Sequence, residues 1–189
     1  MTLLALHRLP VRLAPLGAAL GIVVAIGFAF RPRAPLRPPA AAVAPAAPAR
    51  ARLHLYRDAG GRAVRLADGA LARSGDLVQA SIVPAGRAHA VVLSLDGRGR
   101  VTLHYPDAPA GSTRLEPGAE LPLAHAFELD DAPAFERFFL VTAARPLDPA
   151  RLLDVARELA SDPRGARTAP LPLARGQEQH ALLLRKASP

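Results

Sequence analysis

Glu128, Asp130, Asp131 and Glu136 form the densest group of carboxylates in this 189-residue chain. Several carboxylate oxygens together are what a hard cation such as Ca²⁺ selects. Their spacing is not that of a cation-binding loop, and ELDDAPAFE, rich in Asp, Ala and Pro between two apolar runs, reads as a solvated turn. Sugar hydrolysis by paired carboxylates needs a cleft and a set separation, neither of which is suggested locally. His54, His89, His104 and His125 are scattered through the same region. A hydrolase would need one of them to meet a Ser and an acid in space. No GxSxG elbow, HExxH helix or GxxxxGK phosphate loop occurs. Ser94 lies inside the apolar run AVVLSL, and His104 alternates with apolar neighbours, so both read as strand residues. DGRG at 96–99 reads as a hairpin turn and not as a nucleotide loop. No catalytic, cofactor-binding or metal-ligating residue is assigned on this basis, and no enzymatic activity is expected.

The elements that must hold these side chains begin with an uncharged stretch. Leu13 to Phe30, LAPLGAALGIVVAIGFAF, is preceded by Arg8 and Arg12 and followed by Arg31, Arg33 and Arg37. As a helix it would be about 27 Å long, close to the roughly 30 Å of a bilayer core, so one transmembrane helix is expected over 13–30 after a short basic segment at 1–12. A cleaved leader fits less well, because Phe28, Phe30 and Arg31 stand where small residues should precede cleavage. Gly17, Gly21 and Ala25 fall every fourth residue and would line one helix face suited to a homodimer. Residues 31–50, dominated by Pro and Ala, lack the branched apolar side chains of a core and read as an extended linker reaching at most about 60 Å.

The formal net charge of +8 divides unevenly along the chain. Six of the 24 basic residues lie in 1–50, whereas all sixteen acidic residues lie beyond position 57. The basicity therefore belongs to the membrane flanks, where arginines attract anionic headgroups and help set topology. No basic stripe interleaved with aromatics occurs, so a nucleic-acid partner is not expected. Without Cys there is no disulfide framework, thiol nucleophile or Cys-based zinc site. Charge nearly ties across the apolar run. A short N-terminal segment before a long domain most simply places the domain outside the inner membrane, in the periplasm.

Residues 51–189 are enough for one domain, and the pattern is mostly β. Leu53 and Leu55 alternate with polar neighbours, as do Val64 and Leu66 beyond Gly60-Gly61, predicting a hairpin. Leu77 to Val83 predicts another strand. AVVLSL at 90–95 and RVTLHY at 100–105 predict a second hairpin, with Asp96-Gly97 supplying positive φ. Val101, Leu103 and Tyr105 should then face one side, with Thr102 and His104 on the other. Leu121 to Leu123, Phe127 to Leu129 and Phe135 to Thr142 continue the series, FERFFLVT being apolar enough for a central strand. Asp148-Pro149 should open a helix at about 148–160, with Leu152, Val155, Ala156 and Leu159 on one face and Asp162-Pro163 stopping it. After an irregular segment, Gln179 to Arg185 predicts a last strand. The expected fold is mainly β: a β-sandwich with one appended C-terminal-region helix, after the transmembrane helix and Ala/Pro linker.

Six stretches between Leu53 and Lys186 carry a family resemblance: LYR at 55–57, RLADGA at 65–70, SGDLVQ at 74–79, VVLSLDGRGRVTLHYP at 91–106, AFELDDAPAFERFFLVT at 126–142 and LLLRK at 182–186. Together they resemble the C-terminal domain of bacterial ActD-like proteins and related predicted anti-sigma factors. The resemblance implies a β-rich module behind a single membrane helix, in a family whose members also join it to caspase-like or kinase domains. It implies signalling or envelope regulation and carries over no catalytic residue. With twelve residues before the apolar run and no Cys, direct sequestration of a sigma factor is not expected. The leading expectation is a membrane-anchored, non-catalytic extracytoplasmic binding or sensory domain whose partner is a protein or an envelope ligand. The alternatives are a structural or secretion-accessory membrane module, or a hydrolase formed where His104 or His125 meets an acid in a cleft.

Overall fold

The computed structural model describes residues 50–187. Leu13 to Phe30, the Gly17/Gly21/Ala25 face and most of the linker lie outside them. Among the described residues no helix is long and apolar enough to cross a membrane.

The elements are β1 (Arg52–Asp58), β2 (Ala63–Leu66), β3 (Leu71–Ala72), β4 (Leu77–Val83), β5 (His89–Asp96), β6 (Val101–Tyr105), β7 (Leu121–Pro122), β8 (Phe127–Glu128), β9 (Phe135–Ala143), α1 (Pro149–Ala160), α2 (Pro163–Thr168) and β10 (Gln177–Lys186). They make a mainly β fold of two five-stranded sheets with helices near the C-terminal end. One sheet runs β2-β1-β4-β7, with β8 also paired to β4, and the other runs β3-β10-β9-β5-β6. All pairings are antiparallel except that of β3 with β10.

Alternation sorts the apolar side chains into two cores. Leu53 and Leu55 of β1 and Val78, Ala80 and Ile82 of β4 meet Ala90, Val92, Phe138, Leu140, Leu182 and Leu184 from the other sheet. The intervening residues of that second sheet, Val91, Leu93, Leu95, Phe139 and Val141, pack against Leu152 and Ala156 of α1 and Ala166 of α2. The second sheet is thus covered on both faces, which is why its central strand β9 has no apolar/polar alternation in sequence and is buried throughout. Arg137, in mid-strand on the helix side, lies over the Phe139 ring at 4.6 Å and donates to Ala166 O (3.1 Å) and Ala169 O (2.7 Å). Its guanidinium caps the carboxyl end of α2, where a cation is favoured.

α1 begins as expected: the Asp148 side chain accepts from Arg151 N, and Pro149 occupies the first turn. Asp162-Pro163 ends it but also starts α2, with Asp162 accepting from Arg164 N and Gly165 N, so the segment read as irregular contains a short helix. At the 96–99 turn, positive φ falls on Gly99 (80°) and not on Gly97. Gly97 serves a close approach instead: a Cβ there would lie 1.8 Å from Pro133 O. Alternation also fails at the end of β6. Val92 opposes Tyr105 while Leu93 opposes Leu103, leaving His104 as the extra residue of a bulge. Tyr105 therefore packs against the inter-sheet core beside His104 and not with Val101 and Leu103.

Candidate functional site

Ser94, His104 and Glu136 come together on the inter-sheet side. Ser94 Oγ donates to Glu136 Oε1 at 2.7 Å, and His104 Nε2 lies 2.9 Å from Ser94 Oγ. Because the hydroxyl proton is spent on the carboxylate, His104 Nε2 must be the donor in the second bond. A nucleophilic serine requires the reverse, a hydroxyl that gives its proton to an imidazole oriented by the acid. Here the serine stands between histidine and acid. The His104 ring also lies 4.5 Å from that of Phe127 and 5.5 Å from that of Phe138. Burial lowers the imidazole from 6.5 to about 4, so it is neutral at physiological pH. Burial raises the Glu136 carboxyl, partly offset by the Ser94 bond and by Lys186.

The four acidic residues grouped by sequence separate in space. Asp131 is exposed and pairs with Arg98 at 2.7 Å, and Glu128 sits exposed on β8. Glu136 is buried in β9 and not in a solvated turn, because even-numbered positions of that strand point between the sheets. Its oxygen lies within 4.8 Å of ligand atoms of Asp96 and Asp130. Beside them is Lys186, the single lysine of the chain, with its side chain 3% exposed; Nζ donates to Asp130 O at 2.8 Å and lies 3.6 Å from Asp130 Oδ1. Asp96 Oδ1 is occupied by Arg98 N and Arg100 N, closing the hairpin turn. The ammonium supplies the positive charge that the cluster needs, as a compact cation on a flexible stem.

The remaining histidines have different settings. His89 Nδ1 lies 3.1 Å from Thr113 Oγ1, tying β5 to the loop between β6 and β7. His125 is exposed, and its carbonyl accepts a long 3.4 Å bond from Gln79. His54 meets an acid: its Nδ1 is 3.1 Å from Glu120 Oε1, which also accepts from Tyr56 OH at 2.9 Å. Burial and the neighbouring carboxylate push the Tyr56 phenol up to about 12, making it a poor source of a nucleophilic oxygen at neutral pH.

His180 was not singled out by sequence, yet it lines two adjoining cavities of the fold. Pairing of β2 with β1 covers only Leu55 to Asp58, so the start of β1 has no strand neighbour on that side. The Leu53 N–H donates to His180 Nδ1 at 3.2 Å, bridging from β1 to β10. Around this bridge lie two cavities of about 460 and 350 Å³, with Arg52 and His180 in the walls of both. Arg50 lines the first, while His54 and Arg65 line the second. Burial, then the positive charge of Arg52, with a smaller contribution from Arg65, lowers the His180 imidazole. The cleft's two acids are engaged, Asp68 by Leu183 N and Glu178 by Arg87. Among the described residues, Arg50, Arg52 and Arg65 have no ion-pair or side-chain hydrogen-bond partner. The chain matches no family model, no curated protein and no solved structure.

Proposed function

We propose that this chain is a membrane-anchored, non-catalytic binding or sensory domain, held outside the cytoplasm by a helix over Leu13 to Phe30 and serving signal transduction or sigma-factor-linked envelope regulation. Its architecture would be a β-sandwich on an Ala/Pro tether, the plan implied by the resemblance to the ActD-like C-terminal domain. The observation that carries binding over turnover is the order of the buried chain, His104 to Ser94 to Glu136, which commits the serine proton to the carboxylate. Open polar surface lies elsewhere, at the cleft between β1 and β10, where Arg52 and His180 line two adjoining cavities.

Alkaline phosphatase and a cytoplasm-active reporter, each fused after Pro189 of the full chain, test the topology. Phosphatase activity alone is the expected result. Cytoplasmic reporter activity alone would overturn the extracytoplasmic placement and direct the search to intracellular partners.

A further inference from the structure

We propose that the apolar groove beside the ends of β4, β6 and β7 is a docking site for this chain's own segment Pro32 to Pro39, PRAPLRPP, in the tether before the domain. The contact lies within the chain and does not depend on the side of a membrane on which the domain stands.

The groove encloses about 470 Å³. Ile82, Leu115 and Leu121, which belong to the inter-sheet core or pack against it, line it together with Tyr105 and Pro106. The Tyr105 hydroxyl donates to Arg114 O, which holds the ring in place. Proline-rich segments suit apolar grooves of this kind with an aromatic in the lining, because the polyproline II shape is set before binding and little entropy is lost. Two carboxylates, Asp107 and Glu116, also line the groove, and no Lys, Arg or His does. Both are exposed, and neither forms an ion pair among the described residues. Their closeness to Tyr105 shows in its phenol, which is raised by burial, then by Glu116 and Asp107. The groove therefore asks for an apolar, extended segment that carries positive charge.

The segment at 32–39 meets these demands. Pro32, Pro35 and Pro38 recur at the three residues per turn of polyproline II and would form one edge, with Arg33 and Arg37 on the other two. It holds no acid, since the first carboxylate of the chain is Asp58. It is also within reach. Leu53 pairs with Ile82, and Ile82 with Leu121, so the start of β1 lies at the same end of its sheet as the groove, two strand spacings or about 10 Å away. The chain from Pro38 to Arg50 would span up to about 37 Å as polyproline II, more than enough to turn back. Docking would change the tether from a spacer into a short connector.

The test uses the full-length chain in an uncharged maltoside detergent and follows the NMR signals of the Tyr105 ring and of Ile82, the single isoleucine among the described residues. Replacing residues 32–39 by Gly and Ser at equal length should shift both signals and leave Leu152 on α1 unmoved. The peptide PRAPLRPP added to the replaced chain should return them saturably towards their parent positions. The parent should need at least tenfold more peptide for any response, because its tethered segment competes at high effective concentration. D107N/E116Q in the replaced chain should weaken peptide binding about fivefold, as for loss of two exposed ion pairs. The proposal is overturned if the Gly/Ser replacement leaves Ile82 and Tyr105 unshifted, or if D107N/E116Q binds the peptide as tightly as before. Parent signals that move on dilution of the protein would mean that a second copy supplies the segment, and would equally overturn docking within the chain.

Discussion

Two polar regions of this domain use the same residue types to opposite ends. Between the sheets, Ser94, Glu136 and Lys186 are buried and His104 is half-buried, and the protons they share run from donor to acceptor within the protein. In the cleft at the start of β1, Arg50, Arg52 and Arg65 are exposed and have no acceptor among the described residues. Proximity of reactive side chains is therefore a poor guide to function here. The tightly connected group meets its hydrogen-bonding needs within the protein. The loosely connected group is left with hydrogen-bonding capacity to spend on something else.

The contrast is broken most severely at Lys186. K186M removes the cation beside Asp96 and Glu136, which are buried, and Asp130, which is exposed, and should cost about 3 kcal/mol in urea unfolding, the upper end for loss of a charged hydrogen-bond donor. An unchanged unfolding midpoint would mean that the carboxylates do not need it. Acid should reveal His104 next. Above pH 6.5 its imidazole is neutral folded or unfolded. As pH falls towards 4, the unfolded chain takes up a proton that the folded one refuses, so stability should fall by up to about 3 kcal/mol. His180 adds a smaller loss of the same sign. The raised carboxyl of Glu136 acts oppositely, gaining its proton first in the folded state, and so offsets part of the loss at the acid end. Stability of H104Q against pH should show a flatter slope between pH 6.5 and 5 than the parent.

Smaller effects sharpen the comparison. S94A strands the His104 donor and a Glu136 oxygen together and should cost about 1–3 kcal/mol by thermal or chemical unfolding. R52Q and R65Q should each change stability by no more than about 0.5 kcal/mol, as for exposed residues without partners. A loss as large as that of S94A would show that the cleft arginines belong to the fold after all.

Local pattern made much of the fold legible. Leu77 to Val83, the pair of strands around DGRG, and the helix after Asp148 follow from alternation and capping that operate within a few residues. Features that depend on distant partners were hidden. The bulge at His104 exists only against Val92 and Leu93 on the neighbouring strand, so the face of Tyr105 could not be read from β6 alone. Asp162-Pro163 carries the signal for stopping one helix and for opening another, and only the stop was read. Glu136 fell both in the expected strand Phe135 to Thr142 and in the acidic run ELDDAPAFE read as a turn, and the strand prevails because its neighbours in space are Ser94 and Asp96 on β5. A lone lysine in a chain otherwise furnished with arginine was the available hint of a special position. The cleft had no local signal, since Arg52 and His180 are brought together only when β1 and β10 pack.

The placement of β10 also governs when the domain can be assembled. This last strand lies inside its sheet, antiparallel to β9 on one side and beside Gly69 to Ala72 on the other, where Arg185 N bonds Ala70 O and Ala187 N bonds Ala72 O. A chain emerging from a ribosome has made β3 more than a hundred residues before its partner exists. Until β10 arrives, the outer side of β9 stays unpaired and the core lacks Leu182 and Leu184. Such long-range closure is slow compared with hairpin formation, so from the emergence of β9 until β10 pairs with it the chain carries an open, sticky edge that favours aggregation.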